Sequence, residues 1–165
     1  MSSFAPKKIF LPLDFAQGED KDAEALSNAA LDAAMSLAGR FEAKLLVASS
    51  LPPLLGVGGP DFAGEAAMAL EQVAKLQHEQ VEKALFAAVE RLKESGIDAE
   101  AHIAIGDEGV AQSLVNKAEK LEADLIVLPS HGRMGLKRFF LGSVAERVAH
   151  LAKVPVLLLK PHLPE

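Results

Sequence analysis

The chain has 165 residues, of which 50% are hydrophobic and 24% are charged, and this predicts one globular domain spanning residues 1–165. It contains no cysteine, which excludes disulfide frameworks, thiol catalysis and cysteine-ligated metal sites, and this composition fits a cytoplasmic protein. The formal net charge of −6 argues against a general nucleic-acid binder, and no apolar run approaches the ~18–20 residues of a membrane span. We therefore expect neither nucleic acid nor a membrane as a partner.

Apolar runs and helical periodicity alternate along the chain, and together they predict five strands and four helices. The strands are predicted at Lys8–Phe15, Leu45–Leu51, Ala99–Ile105, Asp124–Leu128 and Val154–Lys160. The helices are predicted at Ala23–Phe41, Glu65–Ser95, Val110–Leu121 and Ser143–Ala152, with a loop at Pro52–Gly64. One continuous face of the long second helix is predicted from Leu70, Val73, Gln77, Val81, Leu85, Ala88 and Leu92.

This alternation predicts an α/β fold in three layers, with a doubly wound parallel sheet of five strands and helices on both faces. In such sheets, ligands bind outside the carboxyl ends of the strands, at the point where the strand order reverses. A ligand is therefore expected to contact the loops that begin at Asp14, Ser49 and Pro129.

Several common phosphate-binding sequences are missing from the chain. No G-x-x-x-x-G-K-S/T occurs, which excludes a P-loop NTPase, and no G-x-G-x-x-G follows the first strand, which removes the dinucleotide fingerprint. A receiver-type phosphoacceptor site is disfavoured, because Asp14 stands alone at its strand end and the third strand ends in Gly106-Asp107. The remaining stretch of interest is PSHGRMGLKRFFLGSVAERVAH, which begins at Pro129.

This stretch allows two interpretations. Nine residues separate Gly132 from Gly142, and Gly142-Ser143 opens a helix, where backbone N–H groups, the helix dipole and the Ser143 hydroxyl would hold a phosphate. Alternatively, Ser143 and Glu146 form an S-x-x-E capping box, which satisfies the helix end without any ligand. A local basic patch favours an anion, although it also fits a solvated loop; it consists of Arg133, Lys137 and Arg138.

Three segments carry a resemblance to a known family: KKIFLPLDF, GDEGVAQSLVNKAEKLEADLIVLPSHG and SHGRMGLKRFFLGSVAERVAHLAKVPVLLLK. They resemble the universal stress protein (UspA) family over nearly the whole chain, and most specifically from Asp124 to Lys160. The resemblance implies a five-stranded parallel sheet of order 3-2-1-4-5. It also implies a homodimer formed through the last strand, at residues 154–160, and, in one branch of the family, binding of ATP.

The ATP-binding branch is marked by G-x2-G-x9-G-S/T. Gly132, Gly142 and Ser143 match its second glycine, third glycine and final hydroxyl residue, but the first glycine is replaced by Pro129. Proline has no N–H to donate, and its ring stands where the family has no side chain. One lost donor costs about 1 kcal/mol, or roughly fivefold in affinity, so Pro129 weakens the expected ATP binding.

The resemblance also assigns roles by position. Asp14, in a P-x-D with Pro12, would accept a hydrogen bond from a ribose hydroxyl or the adenine amine, although a turn-capping role is the simpler alternative. Ala48 would contact adenine, to within one residue. His131 would line the ribose–phosphate channel, unless it is an ordinary solvated histidine. The implied binding residues are Pro12, Asp14, Ala48, Leu128, Pro129, Ser130, His131, Gly132, Arg133, Gly142, Ser143 and Val144.

The leading hypothesis is a stress-response protein that binds ATP or a related adenine nucleotide as a signalling or protective module. An acidic segment at residues 15–22 would repel a triphosphate unless Mg²⁺ intervenes or the segment points to solvent. Two alternatives stay open: a dimeric interaction protein that needs no nucleotide, and a slow ATP-hydrolysing enzyme, for which Asp14 and His131 are the possible bases. No arranged nucleophile and base are evident, so we expect no dedicated catalytic residues.

Overall fold

The computed structural model describes residues 4–15, 21–54, 64–130 and 142–159. Its strands are β1 (Lys8–Pro12), β2 (Lys44–Leu51), β3 (Ala99–Ile105), β4 (Leu125–Pro129) and β5 (Val156–Leu159). Its helices are α1 (Lys21–Phe41), α2 (Glu65–Glu94), α3 (Val110–Lys120) and α4 (Ser143–Leu151). None of these helices is both long enough and apolar enough to cross a membrane.

The five strands form one parallel sheet in the order β3-β2-β1-β4-β5, which confirms the predicted fold class and topology. The middle strand β1 is buried from both sides, and the side chains of Ile9, Phe10 and Leu11 are fully inaccessible. Burial on both faces explains why the strands read as continuous apolar runs instead of alternating patterns. The strand order reverses between β1 and β4, because the chain winds toward β3 on one side and toward β5 on the other.

Each face of the sheet carries its own hydrophobic cluster. One cluster joins the sheet to α1 and α2, with Ala34 and Leu85 fully buried. The other joins it to α3 and α4 through Leu114 and Val148. The alanines of α1 let that helix approach the sheet closely, since a small side chain leaves little bulk between helix and strand.

The aspartate before β4 joins the starts of the two central strands. The Asp124 carboxylate accepts hydrogen bonds from the backbone N–H groups of Lys7 at 2.7 Å and Lys8 at 2.8 Å. Asp124 thus lies just before the strand, which begins at Leu125 and extends through Pro129, one residue beyond the predicted Leu128. The last strand begins at Val156, two residues later than predicted, and extends to Leu159, while Lys160 lies outside the described residues.

The long helix α2 packs along only part of its length. Val81, Leu85 and Leu92 are buried against the sheet, as their spacing predicted, whereas Val89 is buried there in place of the predicted Ala88, which is partly exposed. In the amino-terminal half of α2 the predicted apolar face is not buried, because Leu70 and Val73 are about half exposed. The reason is length: 30 residues of helix span about 45 Å, whereas the eight residues of β2 span about 27 Å. The amino-terminal half of α2 therefore extends beyond the core.

A histidine on the outer strand β3 has a pKa that its surroundings lower. His102 is 19% exposed, and its Nε2 lies 3.4 Å from Glu100 Oε2 without forming a hydrogen bond. The Glu100 carboxylate is itself bound by Lys44 Nζ at 2.6 Å. Burial lowers the pKa of His102 below its ordinary value; nearby Glu100 opposes this shift, and the positive charge of Lys117 adds to it.

We expect His102→Gln to reduce the loss of stability that accompanies acidification. The unfolded chain binds a proton at His102 near pH 6.5, while the folded protein binds it at lower pH. The stabilising effect of neutral His102 is therefore complete above about pH 6.5 and is lost as the pH falls through the folded-state pKa. The free energy of urea unfolding at about pH 7 and pH 5 measures this, and equal pH dependence in both proteins would contradict the prediction.

Candidate functional site

The seam between β1 and β4 is paired over a short distance. These two strands pair at Ile9–Leu125 and Phe10–Ile126, whereas β1 continues to pair with β2 as far as Pro12–Ala48. On its other side, β4 continues to pair with β5 as far as Pro129–Leu159. The carboxyl ends of β1 and β4 are thus each bound to an outer neighbour but not to each other. We call the opening between them the β1–β4 crevice.

Two prolines account for this opening. Neighbouring residues of a strand direct their N–H groups to opposite edges, and Leu13 donates to the carbonyl of Ala48 in β2 at 2.8 Å. The nitrogen of Pro12 therefore faces β4. By the same rule the nitrogen of Pro129 faces β1, because Ser130 donates to Leu159 of β5 at 2.8 Å. Since proline has no N–H, neither strand can continue the ladder across the seam from these positions.

The residues predicted at the ends of β1 and β2 lie at this edge of the sheet. Asp14 lies two residues after the end of β1, and the residue is exposed to solvent. Ala48 is fully buried, and its carbonyl is engaged by Leu13. The neighbouring Ser49 is also buried, so neither residue is exposed at the surface where a ligand would bind.

Ser130 and Gly142, which flank residues 131–141, are hydrogen-bonded to each other. The Gly142 N–H donates to the Ser130 carbonyl at 2.7 Å, and the Ser130 N–H donates to Leu159 at 2.8 Å. We call this pair of bonds the Ser130 clasp. Ser130 is 1% exposed and Leu128 is likewise buried, while Pro129 between them is partly exposed. The clasp fixes the first turn of α4 beside the end of β4, and nothing in the local sequence signalled it.

The start of α4 differs from the predicted capping box. Gly142 is the N-cap, in an extended conformation with φ −62° and ψ 143°, and no side chain caps the helix. Its carbonyl accepts the Glu146 N–H at 2.8 Å, so Ser143 is already the first helical residue. The capping-box interpretation is therefore wrong by one residue, because the Ser130 clasp holds Gly142 where the serine was expected.

This helix start leaves polar groups directed to the open edge. The N–H groups of Ser143 and Val144 belong to the first turn, where no helical carbonyl can reach them. Both residues are exposed. The helix dipole adds a partial positive charge at the same end. These groups can chemically accommodate an anion of the size of one phosphate.

Of the twelve predicted binding residues, the structure brings Leu128, Pro129, Ser130, Gly142 and Ser143 together around the clasp. Val144 continues from them along α4, while Pro12, Asp14 and Ala48 lie at the ends of the neighbouring strands. The other three, His131, Gly132 and Arg133, lie outside the described residues. Within the described part of the chain, no group of three or more histidine, aspartate or glutamate side chains is placed to hold a metal ion.

A separate groove of about 260 Å³ lies at the end of β3, and the sequence did not predict it. It combines both signs of charge, and Glu108 in its wall accepts a hydrogen bond from Asn116 at 3.0 Å. Its lining residues are Ile105, Gly106, Asp107, Glu108, Ser113, Asn116, Lys117 and Lys120. Because β2 and β1 lie between this groove and the β1–β4 crevice, the two are distinct.

Residues 7–160 match the family model described as the universal stress protein family. The chain belongs to the universal stress protein family. The matched range covers every described strand and helix, and it includes both prolines of the crevice. The family resemblance expected from the sequence is thereby confirmed.

Known members of the family are similar to this universal stress protein over most of their length. Universal stress protein MJ0531 of Methanocaldococcus jannaschii is 34% identical over 157 residues, which cover 93% of this chain and 82% of that relative. The structure of universal stress protein UspA from Lactobacillus plantarum has a TM-score of 0.72 at 20% identity, covering 93% and 97% of the two chains. A universal stress protein from Archaeoglobus fulgidus, solved in complex with dAMP, has a TM-score of 0.54 at 20% identity, covering 94% and 98%. Both solved structures have the same fold as this chain.

Proposed function

We propose that this universal stress protein binds ATP or a related adenine nucleotide in the β1–β4 crevice, and acts in the cytoplasm as a nucleotide-responsive signalling or protective module. The observation that carries the proposal is the crevice itself, which opens where the strand order reverses. The Ser130 clasp fixes an anion-binding helix start beside it. The adenine nucleotide dAMP in the Archaeoglobus fulgidus relative agrees with this ligand class.

Each part of the nucleotide has a proposed partner. Asp14, exposed at the end of β1, accepts a hydrogen bond from a ribose hydroxyl or the adenine amine. Ser143 and Val144 donate to phosphate oxygens from the first turn of α4. His131, Gly132 and Arg133 are assigned to the phosphate end by family resemblance. Mg²⁺ would enter with the phosphates, since this ion usually takes substrate oxygens and water together with few protein ligands.

The composition of the chain makes the proposal easy to test. The protein has no tryptophan and no tyrosine, so it absorbs very little at 280 nm, and a co-purified adenine nucleotide would dominate its spectrum near 260 nm. Denaturation followed by ultrafiltration should release the nucleotide, so that the absorbance near 260 nm appears in the filtrate. Calorimetric titration of the stripped protein with Mg-ATP and AMP should then give saturable heat.

Guanine nucleotides serve as the control in this titration, because they carry the same phosphates on a different base. Saturation by adenine but not guanine nucleotides supports the proposed site. Absence of heat with every adenine nucleotide at millimolar concentration would refute it.

A nucleotide-independent role as a dimeric interaction protein is favoured by a second observation. Strand β5 is the last strand of the sheet and pairs with β4 alone among the described strands. Its outer edge therefore presents backbone groups that a second chain can pair with. Leu157 on this strand is 38% exposed. We propose that two copies associate through residues 154–160.

We expect Leu157→Lys to convert the dimer into a monomer, because a lysine on an edge strand opposes edge-to-edge pairing. Ile105→Lys is the matched control, since Ile105 is an exposed apolar residue on β3 at the opposite end of the sheet. Sedimentation at micromolar concentration distinguishes the two states. A monomeric parent protein, or equal effects of both substitutions, would contradict a dimer through β5.

A further inference from the structure

The groove at the end of β3 is lined entirely by residues that the structure describes. The end of β3 and the loop after it form one wall, and one face of α3 forms the other. The residues of that face recur at three- and four-residue steps and are Ser113, Asn116, Lys117 and Lys120. The volume of about 260 Å³ is below the roughly 300–1,000 Å³ of pockets that bind drug-sized molecules, so a ligand of this groove would be smaller.

Hydrogen bonds fix the two walls of the groove relative to each other. The Asn116 side chain on α3 donates to the Glu108 carboxylate in the loop after β3 at 3.0 Å. The Ser113 hydroxyl lies 2.9 Å from the hydroxyl of Ser50 in β2. Gly106 packs against Ser113 so closely that an added Cβ would lie 3.1 Å from the serine Cβ. The walls are therefore in place before any ligand binds.

The charged side chains of the groove are not paired across it. Asp107 on one wall, and Lys117 and Lys120 on the other, form no ion pair within 4.0 Å among the described residues. By contrast, Glu119 of α3 is paired with Lys153 at 3.0 Å. The groove thus separates opposite charges by a gap that the side chains do not close.

The charges of the two walls select the class of ligand. The carboxylates of Asp107 and Glu108 on one wall balance the two lysines on the other. An anion would be attracted by the lysines and repelled by the carboxylates, and a cation would meet the reverse. A molecule that carries both signs of charge gains from both walls. Ile105, which is 57% exposed in the same groove, offers an apolar contact beside them.

We infer that this groove binds a free α-amino acid with an apolar side chain. The carboxylate of the amino acid accepts hydrogen bonds from Lys117 and Lys120, and its ammonium group donates to Asp107. Its side chain lies on Ile105. The inference goes beyond the proposed nucleotide site, because β2 and β1 separate the groove from the β1–β4 crevice.

Titration of the isotope-labelled full chain with leucine, followed through backbone amide signals, tests this inference. Gly106 lines the groove, so its amide signal should shift and saturate with a Kd of about 1 mM or below. Two analogues each remove one charge: N-acetyl-leucine lacks the ammonium group, and leucinamide lacks the carboxylate. Each should bind at least ~10-fold more weakly, because a hydrogen bond between charged groups is lost.

Two substitutions assign each charge of the ligand to its partner. Lys117→Gln should weaken leucine binding ~10-fold or more but change leucinamide binding by less than about twofold, since leucinamide has no carboxylate. Asp107→Asn should weaken leucine binding to the same extent but change N-acetyl-leucine binding by less than about twofold. Lys83→Gln is the control, because Lys83 is an exposed lysine on α2, on the opposite face of the sheet.

A second lysine variant, Lys120→Gln, repeats the comparison at an exposed residue, so the test does not depend on the folding of one protein. A Gly106 signal that stays unchanged at about 10 mM leucine would overturn the inference, as would equal affinities for leucine and its two analogues. Equal losses in Lys83→Gln and Lys117→Gln would also overturn it, because they would reflect overall charge. Nucleotide binding in the β1–β4 crevice is tested separately by the adenine titration.

Discussion

Replacing Asp14 with alanine should weaken adenine nucleotide binding by about 10- to 100-fold. A hydrogen bond to a charged group contributes about 1.5–3 kcal/mol, and Asp14 is the exposed carboxylate at the end of the strand that forms one wall of the β1–β4 crevice. Asp14→Asn should fall between the parent and the alanine variant, because the amide keeps one acceptor oxygen and loses the charge. Calorimetric titration with AMP measures all three proteins.

Asp32→Ala is the matched control for this substitution. Asp32 is an exposed aspartate on α1, and its backbone carbonyl, which accepts the Ser36 hydroxyl at 2.9 Å, is kept in the variant. Both changes remove the same negative charge, so a difference between them measures the site and not the overall charge. Equal affinity of the two variants would show that Asp14 makes no contact with the nucleotide.

The second large effect concerns α2, where Leu85→Ala should lower the free energy of unfolding by about 2–5 kcal/mol. Leu85 is fully buried between the helix and the sheet, so its removal leaves a cavity as well as lost apolar contact. Leu76→Ala is the same substitution in the same helix at a side chain that is 53% exposed, and it should change stability by less than about 0.5 kcal/mol.

Urea unfolding followed by far-ultraviolet circular dichroism measures both leucine variants. A large loss of stability in Leu76→Ala at low protein concentration would show that the amino-terminal half of α2 is packed within the monomer. Similar stabilities for Leu85→Ala and the parent would contradict the position of α2 on the sheet.

The sheet could be predicted from sequence because each central strand is buried on both faces. A run such as Ile9-Phe10-Leu11 has few other stable environments in a domain of this size. Strand order came from the family resemblance, since apolar runs alone do not say which strands are neighbours. The crevice residues could likewise be located to a strand end, because ligand sites in such sheets lie at the carboxyl edge.

The errors arose where the structure depends on residues distant in sequence. Leu70 and Val81 are eleven residues, or about three helical turns, apart and so occupy equivalent positions in the periodic pattern, but Val81 is buried over the sheet and Leu70 lies beyond it. Periodicity reports that a helix has an apolar face and does not report how far the partner surface extends. The capping box failed for a similar reason, because the bond from Gly142 to Ser130 joins residues twelve positions apart.

Pro129 shows what the sequence and the structure each contribute. The sequence reveals that a donor is missing, since proline has no N–H. Which neighbour loses that donor depends on the edge of β4 that the nitrogen faces, and the bond from Ser130 to Leu159 settles this. The loss falls on the crevice and not on the β4–β5 pairing.

The two crevice prolines also decide how the protein can be observed in solution. Pro12 and Pro129 carry no amide proton, so spectra detected through amide protons contain no signal from these two positions. The nearest reporters are Leu13 and Ser130, whose amide protons are held by Ala48 and Leu159, and Gly142 in the Ser130 clasp. Carbon-detected nuclear magnetic resonance, with labelled proline, would observe both sides of the opening directly.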